Sequence, residues 1–567
     1  MRIPRLLFLF MLLLGTVAQA QSPDVFELAE AACPSLPKGL LRAVAFTNTQ
    51  CHHLTDADYT TPATDSQAMP RTYGMMGLVR DGKGCFRENL KTVSALSGMT
   101  EEAILADPAA NVLAYAKACV KLAEQYRIAG DRPEAYRPVI EALSELPCEA
   151  PKDALPMKLM LYSVFEQLGA DLPALFGEDY EMLSAPGLSF AKGPDYPPAL
   201  WVPAPECNYS ERTNPVSGVV IHYTEGSYAG CISWFQNCDA QVSSHYVIRS
   251  RDGQVTQMVR EADKAWHARS ANAYTIGIEH EAYGDIASFF TPEMYASSAN
   301  LVRDICERYE PIDGHHTFYY DTLDNGLTLN TGVWDLGGEG ACLDIRGHQH
   351  YPGQTHTDPG PYWDWNYYYK LINEGTPVIH RGGPNVVLGN FNHVNYGNDE
   401  RKIWVITSAE HTNITLQFSR FAMERDYDFL WIYDGADVYA PKLGRWNTHS
   451  PGRVTSSSNA MCIEFRSDCE GTAAGWEAVW TVQGNQGVGD LALEGLRTVQ
   501  VGNELQLSAP DSQSYEAVLA DLYGRVLERR RFSETVAFDL GGLAQGIYLL
   551  RVTRTEDGAF MAKRIIR

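Results

Sequence analysis

Apolar positions recur at three- and four-residue spacing through the first third of the chain, in L-P-K-G-L-L-R-A-V-A-F, N-L-K-T-V-S-A-L and A-N-V-L-A-Y-A-K-A-C-V-K-L-A-E-Q-Y. That spacing, with Ala and Leu dominant, predicts an all-α domain over residues 24–190. The Pro-rich passage G-P-D-Y-P-P-A-L-W-V-P-A-P follows and reads as a linker. Over residues 200–375 the pattern changes. Strand-like S-G-V-V-I-H-Y and S-H-Y-V-I-R-S mix with a helical M-Y-A-S-S-A-N-L-V-R-D-I-C-E-R-Y, which predicts an α/β domain with a mixed sheet and flanking helices. Beyond a Gly/Pro/Asn stretch the chain alternates apolar with polar positions, as in I-T-L-Q-F-S-R-F and Y-D-F-L-W-I-Y-D-G, and predicts a β-sandwich over 389–483. Short strand-like runs such as E-A-V-L-A-D-L-Y and G-I-Y-L-L-R-V predict a further small β-sandwich over 490–567.

A chain of 567 residues exceeds what one core supports, which agrees with a multidomain protein. Its net charge of −24 argues against nucleic acid or anionic lipid as a partner, since both would be repelled. Residues 1–20 have the form of a secretory signal: Arg2 and Arg5, an apolar run from Leu6 to Leu14, and Ala18-Gln19-Ala20 as cleavage site. That apolar run is too short to span a membrane, and no later stretch is long enough, so no membrane span is expected. All 12 cysteines follow the signal, and export permits disulfides. Cys231 with Cys238, Cys306 with Cys342 and an inter-domain Cys148–Cys207 bridge are candidate pairs, which the sequence does not decide between.

The α/β segment carries the chemistry. His222 stands in V-V-I-H-Y-T, and G-H-Q-H-Y-P-G-Q-T-H-T-D-P-G supplies His348 and Asp358. Two imidazoles and a carboxylate suit a catalytic Zn2+, which takes three protein ligands and keeps a position open. Glu279, in T-I-G-I-E-H-E, is placed to accept a proton from the attacking water.

With V-S-S-H-Y-V-I and A-W-H-A in the same order, residues 215–370 resemble the zinc N-acetylmuramoyl-L-alanine amidases, the family that includes phage-type lysozyme amidases and peptidoglycan recognition proteins. The resemblance implies His222, His348 and Asp358 as zinc ligands, Glu279 as general base and peptidoglycan as substrate. Many members of that family carry Lys two residues before the acidic ligand; here the position is His356, whose imidazole can donate to an oxyanion. His267 and Tyr223 are candidate substrate-binding residues, with packing an equal reading for His267. His245 is expected to satisfy backbone groups, His315 and His316 to sit in loops, and His350 to be a neighbour of the ligands or exposed.

The flanking segments carry resemblances of their own. L-L-R-A-V-A-F-T-N-T-Q and Y-G-M-M-G-L resemble the lysozyme-like lytic transglycosylases, with Asn48 where that family has its acidic Glu. Asn cannot donate the proton a glycosidic oxygen needs, which implies a glycan-gripping domain without cleavage or with displaced chemistry. W-V-I, I-T-L-Q-F, M-E-R-D-Y-D-F-L-W-I-Y-D-G and G-W-E-A-V-W resemble a CUB domain, whose calcium-binding members imply Ca2+ at Glu424, Asp428 and Asp468, with a solvated acidic face as the other reading. Such a domain also implies a protein or glycan partner. D-L-Y-G-R-V, F-D-L-G-G-L-A-Q-G-I-Y-L-L-R-V and the terminal K-R-I-I-R resemble the sorting domain of type nine secretion substrates. They imply contact with the secretion machinery and passage through the periplasm to the cell surface or medium.

Taken together, these features predict a secreted zinc amidase acting on peptidoglycan. The rival expectation is a peptidoglycan-binding or adhesion protein of the bacterial surface that no longer turns over.

Overall fold

The structure, a computed structural model, describes residues 24–567 apart from 66, 84, 148–153, 185–192, 285, 321, 324–326, 383–387, 409–412, 483–494, 522–525 and 557–559. The signal-like segment and Cys148 therefore lie outside the described residues. Two compact units emerge, one ending at Glu374 and one beginning at Gly375.

The first unit opens with helices that include α1 (Leu40–Thr49), α2 (Pro108–Gln125) and α3 (Ala154–Gln167). Helix α2 starts where Asp107 accepts from Ala110 N and Pro108 takes the first turn, a position that needs no N–H. The segment is not purely α: β1 (Thr72–Tyr73) and β2 (Leu78–Val79) form a small antiparallel hairpin against α1.

The α/β part is built on β3 (Leu200–Trp201), β4 (Gly218–Tyr223), β5 (Tyr246–Ile248), β6 (Val255–Gln257), β7 (Thr275–His280) and β8 (Ile345–Gly347). Their order across the sheet is β8-β4-β7-β5-β6-β3, parallel except between β5 and β6, so the sheet is mixed as its sequence pattern predicts. All six residues of β4 and of β7 are buried, as strands covered on both faces must be. Helices α4 (Tyr228–Phe235), α5 (Pro292–Arg308) and α6 (Trp365–Ile372) flank it, α4 capped by Ser227 and α5 by Thr291.

Three expectations need correction. Residues 193–205 do not form a free linker: Leu200–Trp201 pairs with Thr256–Gln257 as the edge strand, and Pro at an edge leaves no ladder donor missing. The helical segment is not a separate body either. Helix α3 packs on α4, and one apolar core runs from Leu159 and Met160 to Tyr228, Ile232 and Met258. Finally, Cys238 bonds Cys207 with an S–S length of 2.07 Å, in place of both the Cys231–Cys238 and the Cys148–Cys207 pairings. Cys231 is buried in α4, facing the core, and Cys306 keeps a free thiol.

In the second unit, a five-stranded and a four-stranded sheet form the sandwich expected of residues 389–483, closed on Ile406, Leu416, Ile432, Ile463 and Trp476. The described part of 490–567 forms a three-stranded and a four-stranded sheet around Leu507, Tyr515, Phe538 and Leu550. Among the described residues no helix is long and apolar enough to cross a membrane.

Candidate functional site

Strand register assembles the site. Gly347 pairs with Ile221 and His222 pairs with Glu279, so His348, one residue past β8, lies level with both. Three neighbouring parallel strands thus bring their carboxyl ends to one crevice, where open α/β sheets bind ligands. Asp358 returns to this edge because its carbonyl accepts from Gln349 N at 3.1 Å.

The Asp358 carboxylate sits between the two rings, with Oδ2 2.8 Å from His222 Nδ1 and Oδ1 3.0 Å from His348 Nδ1. Ligand atoms of these three buried residues all lie within 4.8 Å of one another. The far nitrogens are tied as well: His222 Nε2 lies 2.9 Å from His267 Nδ1, and His348 Nε2 donates to Gln354 Oε1 at 2.8 Å. Each ring therefore turns Nδ1 inward and is held from behind, as metal-ligating imidazoles are.

Burial sets the charge states. It pushes the His222 imidazolium down to about 4, aided by His348 beside it, so the ring is neutral and free to ligate. Burial alone would raise Asp358, but His348 and the hydrogen bonds from both rings hold its carboxyl well below the usual range. Glu279 is pushed far up, first by burial and then by the Asp358 charge. A divalent cation among these three side chains would offset that crowding, and two imidazoles with one carboxylate are a donor set that fits Zn2+.

These side chains open into a cavity of about 370 Å3, which Glu279, His267, His356 and Tyr223 also line. The His356 ring stacks on His348 at 5.0 Å and 12°. Besides lining the cavity, His267 supports His222, and the Tyr223 hydroxyl lies 2.8 Å from Thr60 Oγ1. His245 is structural as expected: Nδ1 accepts from Gly277 N at 2.9 Å. His350 is fully buried rather than exposed, its Nδ1 accepting from Gly347 N at 3.1 Å. Gln354 was not singled out from the sequence, although it stands inside the ligand motif. Neither was the wall formed by residues 59–83, whose motif Y-G-M-M-G-L points to the transglycosylase resemblance and not to the amidase cavity.

The acidic set of the second unit also converges: Glu424, Asp428 and Asp468 offer ligand atoms within 4.8 Å. Burial raises Asp428 to about 7 although the Tyr396 hydroxyl and Asp468 N donate to it. Burial and the Asp468 charge raise Glu424 likewise. Asn48 is buried beside a space of only about 30 Å3: its Nδ2 donates to Met76 O at 3.0 Å, and its backbone carbonyl accepts from the Tyr283 hydroxyl at 3.0 Å.

Residues 212–361 match the family model described as N-acetylmuramoyl-L-alanine amidase, and residues 387–480 match that of the CUB domain. N-acetylmuramoyl-L-alanine amidase A of Achromobacter lyticus is 42% identical over 189 residues, which are 32% of this chain and 97% of that protein. Cubilin of Homo sapiens is 30% identical over 171 residues, 29% of this chain but 4% of cubilin. Among solved structures, one titled "Structure of PlyL" shares 16% identity over 27% of this chain and 81% of its own, with a TM-score of 0.19.

Proposed function

Since this chain belongs to the N-acetylmuramoyl-L-alanine amidase family, we propose that it is a secreted, zinc-dependent enzyme that hydrolyses the amide between the muramyl lactyl group and L-alanine of peptidoglycan. The observation that carries this is the buried His222–His348–Asp358 set with Glu279 on the same sheet face, all opening into one cavity.

His222, His348 and Asp358 would hold the zinc ion, which supplies Lewis acidity to the amide carbonyl and makes water a nucleophile near neutral pH. Glu279 accepts the proton of the attacking water and returns it to the amine of L-alanine as the C–N bond breaks. His356, stacked beside His348 at the cavity, donates to the oxygen that gains charge. His267 and Gln354 keep the two ligand rings turned inward. Tyr223 bounds the substrate space.

The convergent carboxylates Glu424, Asp428 and Asp468 suit Ca2+, a hard cation that takes oxygen ligands, and would brace the CUB domain for a protein or glycan partner. The signal-like start and the terminal segment from 490 would carry the protein through the periplasm to the surface or medium. Mass spectrometry of purified peptidoglycan after digestion tests the activity: free stem peptides beginning with L-alanine are the expected product, and intact lactyl-peptide linkages would refute it.

A further inference from the structure

The cavity has two walls of different origin. One belongs to the family domain; the other is residues 59–83 of the helical segment, outside the matched 212–361. This second wall is anchored firmly. Glu225, in the turn after β4, accepts from Thr60 N at 2.6 Å and Thr61 N at 3.1 Å, and Trp234 Nε1 donates to Gln67 O at 3.1 Å. A Cβ on Gly226 would meet the Met69 methyl at 1.6 Å, so glycine there permits the close approach.

Most cations on this wall are spent on its shape. Lys83 Nζ donates to the Asp65 and Ala68 carbonyls at 2.9 and 2.6 Å. Arg71 donates to Asp56 Oδ1 at 2.7 Å and to Thr61 O at 2.6 Å. Arg80 differs. It is exposed, lines the cavity, and makes no hydrogen bond or ion pair among the described residues. Its guanidinium lies 5.4 Å from the Tyr73 ring centre, and the Tyr73 hydroxyl fixes that ring by donating to Asp56 Oδ1 at 2.9 Å. A stacked guanidinium with its donors free is arranged for a planar anion.

We propose that residues 59–83 are the far wall of the amidase substrate site, and that Arg80, held over Tyr73, binds a carboxylate of the stem peptide beyond the bond that is cut. This rests on the activity proposed above. A peptide continuing past L-alanine carries side-chain and terminal carboxylates, whereas the glycan offers mainly neutral hydroxyls. The helical segment has little room to hold glycan at Asn48, since Tyr283 and the strand ends of the amidase sheet cover that face. The helical domain is on this account part of the amidase site rather than a separate wall-binding module.

The test compares full-length protein with Arg80→Ala and Arg80→Glu, using a muramyl tripeptide with free carboxyls and the same compound with those carboxyls amidated. Loss of a charge-assisted contact should raise KM for the acidic compound about tenfold in Arg80→Ala, and further in Arg80→Glu. The loss should fall in KM rather than kcat, and the amidated compound should not discriminate between proteins. Wild-type KM in both variants would overturn the proposal. Equilibrium binding of the acidic compound, measured in parallel, separates the two claims. If the unaltered protein binds but does not hydrolyse, the amidase activity fails while weakened binding in Arg80→Glu upholds the subsite. Equal binding by all three proteins refutes the subsite whatever the turnover.

Discussion

His222 and Glu279 are register partners on adjacent parallel strands, so their side chains leave the same face of the sheet side by side. Their neighbour His280 points the other way, with Nδ1 donating to the His222 carbonyl at 2.8 Å and Nε2 2.8 Å from Ser298 Oγ. A one-residue slip between these strands would exchange Glu279 for a residue of the opposite face and take it away from His222. Two consecutive ionisable residues thus have separate duties, one toward the cavity and one toward α5.

Glu279→Gln keeps the shape of the side chain while removing its ability to accept a proton. The variant should retain its metal and lose about 10²–10⁴-fold in turnover. Metal analysis beside a peptidoglycan-release assay checks this; turnover within a few-fold of the unaltered protein would remove Glu279 from the role.

Gln354→Ala should act on the metal rather than on the substrate. With the partner of His348 Nε2 gone, the ring is free to rotate, and affinity for zinc should fall roughly 10–100-fold. Competition against a chelator of known affinity measures the change. Saturating zinc should then restore most activity, which loss of a substrate contact would not allow.

The site was legible where its residues stand in local patterns. An apolar strand ending in His222, a loop carrying His348 and Asp358, and Glu279 in a second apolar strand each announce themselves within a dozen residues. What escaped depends on non-local pairing. Leu200–Trp201 joins the sheet through residues more than fifty positions away, and the surrounding prolines mimic a linker. Cys238 meets Cys207 rather than the nearer Cys231 because α4 turns Cys231 into the core. The cavity wall at residues 59–83 is held by Glu225 and Trp234 of another segment, and no spacing within the wall itself reveals that.

Glu145 provides a pH test of the helical part. Burial raises its carboxyl from 4.5 to about 7, so the folded chain holds a proton that the unfolded chain releases. Stability from this group is therefore greatest below pH 4.5 and falls as pH rises to 7, by up to roughly 3 kcal/mol. Glu145→Gln should gain thermal stability relative to the unaltered protein at pH 8 and not at pH 4. A difference between the two that stays constant with pH would show that Glu145 does not titrate in this way.

The central claim is that His222, His348 and Asp358 hold a zinc ion on which amide hydrolysis depends. The direct measurement is zinc content together with release of L-alanine amino termini from peptidoglycan, before and after chelation and after zinc is returned, for the unaltered protein and for His222→Ala and Asp358→Ala. One zinc per chain, activity lost and regained with it, and loss of both in the two variants is the predicted result. Full activity in metal-free protein, or undiminished zinc and activity in the variants, would contradict it.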